Sequence, residues 1–413
     1  MKIILVIPMN DLNKLIKKLC PNGIKHVPIK EAYKRVKGTP ITAAKMKEIS
    51  SPEGDVLIIA GGKTTIYAKE EDIPNANITR VPAVLVQSRG IIDVIYYDKP
   101  FTFKNEMWAY TTDNPTNVKY LYYVMKNNIE YFRDSASGMG SLPQISLPVT
   151  EDFIIPYPPF EIQEEIVRIL DSFTALTAEL TAELTARKLQ YEFYRDKLLS
   201  FDDLSPEERE RRGVRMMTIG EFSTLIRGNG LQKKDFVGSG IGCIHYGQIY
   251  TKFDTITSTV LSYVTPDLAK TLKCVEPGDL IIAATSENIQ DVCKAIVWEG
   301  KDNIVTGGHT IILKHNQNPR YISYLLQTTL FQKQKEKIVQ GTKVIDVSAD
   351  RLSKIQLPIV PYELQTEIVS KIDQFRLLCN DLREGLPAEI EARRKQYEYY
   401  KDKLLSFEEV NPS

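Results

Sequence analysis

At 413 residues, 43% hydrophobic and 26% charged, the chain exceeds one ordinary core and has the makeup of a globular protein with at least two domains. No apolar run approaches the ~18 residues of a membrane span, and five cysteines (Cys20, Cys243, Cys274, Cys293, Cys379) without Cys-x-x-Cys spacing argue against a disulfide framework or a structural zinc. The net charge is zero, yet residues 1–155 carry +4, 156–210 carry −7, 211–355 carry +6 and 356–413 carry −3, so two blocks suited to phosphate alternate with two that are not.

In chain order, Met1-Lys2 and the apolar run Ile3–Ile7 resemble the start of a secretory leader. Pro8 interrupts the run, and Asp11, Lys14, Lys17 and Lys18 follow without a small-residue cleavage site. The segment therefore reads as a first strand or docking segment of a cytoplasmic protein. Pro52–Ala60 reads as a Gly-Asp turn feeding a buried strand, a helix is expected around Lys119–Asn127, and Ser137–Gly140 forms a glycine-containing loop.

Tyr157-Pro158-Pro159-Phe160 stands next. It resembles the Asn/Asp-Pro-Pro-Tyr/Phe loop of enzymes that methylate exocyclic amino groups. Tyr at 157 lacks the carbonyl acceptor such a loop needs, and no Gly-x-Gly-x-x-Gly turn accompanies it. The alternative is punctuation before a helix, where Pro is tolerated and Glu161, Glu164 and Glu165 suit the helix dipole. The apolar positions Ile162, Ile166, Ile169, Phe173, Leu176 and Leu180 alternate steps of four and three, a coiled-coil seam. Leu184 adds a stutter before Tyr191, Tyr194, Leu198 and Phe201. About 40 residues at ~1.5 Å each give a rod of roughly 60 Å, the length of about 18 base pairs. Asp202–Gly213 reads as an exposed linker.

The second block carries Glu276–Ala284, which looks like the counterpart of Pro52–Ala60, then a helix around Arg320–Thr328 and the loop Gln340–Lys343. Pro159–Val167 then returns as Pro361–Val369, offset by 202, and Gln190–Phe201 returns as Gln396–Phe407, offset by 206. The unit is duplicated. Gly385-Leu386-Pro387 should break or kink the second helix, and each seam would bury itself most economically against the other helix.

This arrangement resembles the DNA-specificity subunit of type I restriction-modification systems, in which two target-recognition domains alternate with two conserved helical regions. Each helix is entered through a Pro-x-x-Glu-x-Gln-like signature and ends in a Tyr-rich, Arg/Lys-Asp-Lys-Leu-Leu stretch. Leu176–Leu184 (LTAELTAEL) also looks like the tetrapeptide repeat whose copy number sets half-site spacing in some members. The resemblance implies two mixed α/β recognition domains (1–155 and 216–357), a central ruler helix (156–201), a linker (202–215), a C-terminal helix (358–407) and a tail (408–413). The helices would pack as an antiparallel coiled coil with a pseudo-two-fold internal repeat. It also implies a noncatalytic chain that reads a bipartite asymmetric site on double-stranded DNA. Two methyltransferase (modification) subunits and the restriction (nuclease-translocase) subunits would join it. No cofactor or metal is expected in this chain; S-adenosylmethionine, ATP and Mg belong to the partner subunits, and no membrane is involved.

Base reading favours Arg, Lys, Asn, Gln and Thr on loops. The candidates in the first block are Lys37, Thr39, Lys63, Thr64, Thr65, Arg89, Ser137 and Ser141. Those in the second are Arg227, Asn229, Gln232, Lys233, Lys234, His245, Tyr246, Gln248, Asn288, His309, Thr342 and Lys343. For partner docking the helical candidates are Ile162, Ile166, Leu180, Tyr191, Tyr194, Leu198, Leu364, Ile368, Tyr397, Tyr400 and Leu404. Two other readings stand beside this one. The first is a coiled-coil protein-interaction scaffold without specific DNA binding, and the second an enzyme in its own right.

Overall fold

A computed structural model describes residues 9–62, 64–138, 142–341 and 343–407, with side chains at 9–10 and 378–384 left aside. The described chain forms two compact units. One comprises residues up to Thr181 together with those from Ala388 onward; the other is Ala182–Pro387. Each long helix, Phe160–Ser200 and Tyr362–Leu405, runs from one unit into the other.

The first unit opens with an amphipathic helix, Met9–Leu19, whose Leu12 is buried. The apolar run Ile3–Ile7, expected as a first strand or docking segment, lies outside the described residues. A sheet follows in the order Lys34–Lys37, Trp108–Thr111, Ala83–Gln87, Asp93–Tyr97, all antiparallel neighbours. Beside it, Val56–Ile59 pairs antiparallel with Thr65–Ala68 and parallel with Phe101–Phe103. Such one-sided alternation and continuous apolar runs are what a buried mixed sheet requires.

The second unit repeats this topology. Its larger sheet runs Ser223–Arg227, Thr310–His315, Leu280–Ala283, Ala295–Trp298, with Ile256–Thr257 added at the edge. In the smaller sheet Ile241–Ile244 pairs antiparallel with Ser262–Val264 and parallel with Ile304–Thr306. Even the entry pairs agree, His26–Pro28 with Ile154–Pro156 and Arg215–Thr218 with Gln356–Ile359. The pairing corrects one expectation. Leu280–Ala283 is the counterpart of Ala83–Gln87, not of Val56–Ile59, whose true counterpart is Ile241–Ile244. A glycine, an aspartate and an apolar run announce a buried strand without specifying its neighbours.

In both units a helix docks the sheet on the long helices through the same contacts. In Pro115–Asn127, Lys119 Nζ and Tyr123 OH donate to Asp171 (2.7 and 2.5 Å), and Tyr120 OH donates to Pro156 O. In Pro319–Leu325, Arg320 Nη1 donates to Asp373 (2.7 Å), Tyr324 OH also donates to Asp373, and Tyr321 OH donates to Pro358 O. Burial, followed by the adjoining aspartate, pushes the Tyr123 and Tyr324 phenols well above their usual range. Ring packing joins the helices inside each unit. Phe173 stacks on Tyr400 (5.8 Å) and meets Tyr397 edge-on in the first, while Tyr194 stacks on Phe375 (5.2 Å) in the second.

Tyr157-Pro158-Pro159-Phe160 proves to be a helix entry. Tyr157 meets Tyr33 edge-on, and Pro158 O accepts from Gln163 Nε2 at 2.8 Å. The second copy closes the same way, with Gln365 Nε2 donating to Val360 O at 2.8 Å. The signature glutamine is thus a latch between the proline turn and the first helical turn. One further expectation is corrected in part: the second helix is not broken at Pro387. The largely exposed linker contains a short helix, Pro206–Arg211, closed by a Ser205/Glu208 capping box. Among the described residues no helix is long and apolar enough to cross a membrane.

Candidate nucleic-acid interface

The repeated topology brings separately chosen loops to matching places. Lys37-Gly38-Thr39 and Arg227-Gly228-Asn229 both leave the same edge strand of the larger sheet. At each glycine a Cβ would strike backbone, 2.2 Å from Phe103 O at Gly38 and 1.9 Å from Gly307 O at Gly228. Gly61–Thr65 and His245–Gln248 both follow the central strand of the smaller sheet. Arg89 and Asn288 lie in the loops after the equivalent strands Ala83–Gln87 and Leu280–Ala283. Ser137 and Lys343 sit in loops closed by the bridges Ser137–Gln144 and Gln340–Asp346. Lys63, Ser141 and Thr342 lie outside the described residues.

In the second unit the loops are tied together by Arg227. Its Nε donates to Gly308 O (3.1 Å), Nη1 to Val347 O (3.1 Å) and Nη2 to Asp346 Oδ1 (2.9 Å). Expected to read a base, Arg227 instead spends its fork on organising the loops. Gln248 is committed likewise, accepting from His245 N (3.0 Å) and donating to Ser262 Oγ (2.7 Å). His245 is buried; its Nδ1 accepts from Gly247 N (3.2 Å), and its ring lies against Tyr246 (4.5 Å). Burial, then the charges of Lys233 and His309, lowers its pKa and favours the neutral ring. Tyr246 continues the ring cluster onto exposed His309 at 4.8 Å.

Asn288 is exposed but folded onto Asp291, to which its side chain both donates (2.7 Å) and accepts (2.8 Å). Its loop meets that of Lys343 where Thr285-Ser286 pairs with Ile345-Asp346. Asn229, Gln232, Lys233, Lys234 and Lys343 are exposed around this centre, Asn229 donating to Thr271 O at 2.9 Å. Exposed Ile289 and Val344 were not anticipated, although an apolar residue inside a polar, glycine-rich loop was a readable signal. Such side chains suit the thymine methyl group.

In the first unit Thr64, Thr65, Lys37, Arg89 and Ser137 are exposed, Ser137 Oγ donating to Gln144 O at 3.3 Å. Thr39 corrects another expectation. It is buried, its hydroxyl bonded to Thr102 Oγ1 (2.7 Å) and accepting from Asn77 N (2.9 Å), closed to any base. Gly61, Gly62, Thr64 and Arg89 line an open cleft of about 800 Å³ with Leu142, Lys47 and Lys104. Lys104 pairs with Glu106 at 2.8 Å. Sequence reasoning passed over Lys47, which lies on the helix Ala43–Glu48, and Lys104, whose loop no glycine marks.

The helical docking candidates divide by burial. Ile162, Ile166, Tyr191, Ile368 and Leu404 are buried in the chain's own cores and closed to a partner, which corrects that expectation. Leu180, Leu198, Leu364, Tyr397 and Tyr400 are half-buried, and Tyr194 is exposed. The large side chains that face outward are Leu189, Phe193, Leu377 and Tyr399, each at least 60% exposed.

Two copies of one α/β topology, each with a polar, partly basic loop cluster and each followed by a long helix, define a modular recognition protein. Residues 14–187 and 212–392 match the type I restriction modification DNA specificity domain, and the chain belongs to that family. It is 32% identical over 302 residues to the specificity subunit of the EcoR124I/EcoR124II type I restriction enzyme of Escherichia coli, covering 71% of this chain and 72% of that one. A putative type I restriction enzyme specificity subunit of Haemophilus influenzae is 29% identical over 265 residues; the match spans 61% of this chain and 63% of the relative. In fold the chain is similar to the crystal structure of a type I restriction-modification S subunit from M. genitalium. The TM-score is 0.54 at 16% identity, over 92% of this chain and 96% of that one.

Proposed function

We propose that the chain is the noncatalytic, cytoplasmic specificity subunit of a type I restriction-modification complex, reading a bipartite, asymmetric site on double-stranded DNA. The first unit's loops Lys37–Gly38, Gly61–Thr65, Arg89, Lys104 and Ser137–Ser141 read one half. The second unit's loops Asn229–Lys234, Tyr246, Asn288–Ile289, His309 and Thr342–Val344 read the other. The observation that carries this reading is the duplication itself: polar loops chosen from unrelated stretches fall at equivalent places in the two α/β units.

In this reading 1–155 and 216–357 are recognition domains, and 156–201 and 358–407 form an antiparallel coiled coil that acts as a ruler across the unspecified spacer. Exposed Lys and Arg hold phosphates and set register, while Asn, Gln and Thr together with Ile289 and Val344 distinguish base edges. Two modification subunits dock on outward helix positions near Leu189, Phe193, Tyr194 and Tyr399 and methylate an adenine in each half-site with S-adenosylmethionine. The restriction subunits bring ATP and Mg chemistry. The test is methylome sequencing of cells carrying this chain with its modification subunits, against a deletion of the chain. A two-part adenine-methylated motif that disappears on deletion is expected. An unchanged methylome would move the interaction-scaffold reading ahead.

A further inference from the structure

The hairpin loop between Leu280–Ala283 and Ala295–Trp298 carries Asn288 and Ile289 to the second unit's DNA face. Its tip, Glu287–Asp291, is exposed and touches no apolar core of its own. Cys293, buried at its return, sits in the left-handed region at φ 67°, a conformation that side chains other than glycine seldom adopt. Bonds between Asn288 and Asp291 close the tip, and the Thr285-Ser286 pairing with Ile345-Asp346 fixes one side; a further tie secures the return.

That role falls to Lys335, on the helix Thr329–Ile338 behind the sheet. Its side chain is 1% exposed, and Nζ donates to Gln290 O (2.9 Å) and Val292 O (3.1 Å). Among the described residues no ion pair joins it to a carboxylate. An ammonium group hydrogen-bonded to backbone carbonyls is a costly way to fill a core; desolvation lowers its pKa, partly offset by Cys293, Glu336 and Asp291 nearby. In the first unit Arg133, on the helix Ile129–Asp134, also donates to Ile92 O at 3.3 Å beside the corresponding hairpin, but it is exposed and pairs with Glu130, so it is not a buried cation of this kind.

We infer that Lys335 is a positioning residue for sequence recognition, its buried ammonium holding the loop Glu287–Val292 in the shape that reads one half-site. This rests on the DNA-reading function proposed above. Lys335→Met keeps the side chain's volume and apolar stem while freeing two carbonyls that can turn to water.

The full chain with its modification subunits, wild-type and Lys335→Met, is compared by methylome sequencing. The expected result is an unchanged half-site for the first unit and a degenerate one for the second, with methylation at single-base near-matches rising roughly tenfold, the scale of one lost base contact. Hydrogen exchange should rise at 287–292 and not in the larger sheet. Lys335→Gln, which keeps one donor, should fall between the two. A motif identical in both halves, or methylation reduced uniformly at every site, would overturn the inference. So would failure of both variants to accumulate as soluble chain, which would make Lys335 a folding residue. A wild-type complex that gave no bipartite motif would instead sink the underlying reading.

Discussion

Arg227 shows how far residue type alone carries. A lone arginine between an apolar strand and a glycine looks like a base reader, yet its three partners lie 81, 119 and 120 residues away in other loops. Where a side chain's donors go is set by long-range pairing, which one local stretch does not contain; Thr39, bonded to Thr102 and Asn77, is closed off for the same reason. Arg227→Met strands two carbonyls and a carboxylate at the centre of the loop cluster. We expect it to lower stability to urea unfolding by about 1–2 kcal/mol, since the site is partly solvated. His245 and His315 give a second prediction at this scale. Burial leads the causes that lower both pKa values from the ordinary 6.5. The unfolded chain therefore takes up protons first as pH falls. Their stabilising contribution is whole above about pH 6.5 and lost as pH drops toward the lower folded values. Thermal unfolding should show a Tm that declines from pH 7.5 to 5.5, and His245→Gln should flatten that decline. A Tm independent of pH across this window would contradict it.

Among the elements, the two long helices and the buried strands Val56–Ile59 and Leu280–Ala283 were legible, and the strands' neighbours were not. Heptad-like spacing and dense local matches write a helix into consecutive residues, and the observed 41- and 44-residue helices follow them. Strand neighbours are chosen across the chain, so Val56–Ile59 and Leu280–Ala283 look alike and occupy different sheets. The signature glutamines supply a comparison between copies. Gln365 donates to Val360 O and Gln317 Oε1 and accepts from Asn318 N, whereas Gln163 donates once and its Oε1 is buried without a partner. Replacing each with Leu should therefore cost unequally, about 2–3 kcal/mol at 365 and about 1 kcal/mol at 163. Chemical denaturation of the two variants measures the difference, and equal losses would refute the latch as the reason for the signature.

For the whole molecule, the decisive fact is connectivity. The first long helix passes from one compact unit to the other at Thr181–Ala182, inside the tetrapeptide run Leu176–Leu184. The loops that would touch bases belong wholly to one unit or the other, and the run that joins them contains none. On the function proposed above, what is read and how far apart it is read would then be separate properties of this chain. Inserting one more Thr-Ala-Glu-Leu after Leu184 adds ~6 Å of helix and a turn of roughly 40° beyond one revolution without touching a loop. The expected outcome, scored by methylome sequencing with the modification subunits present, is a motif whose two half-sites keep their bases while the number of unspecified base pairs between them changes. Altered bases in either half would mean that the loops are shaped by their distance along the helix. An unchanged spacer would mean that this helix does not act as a ruler.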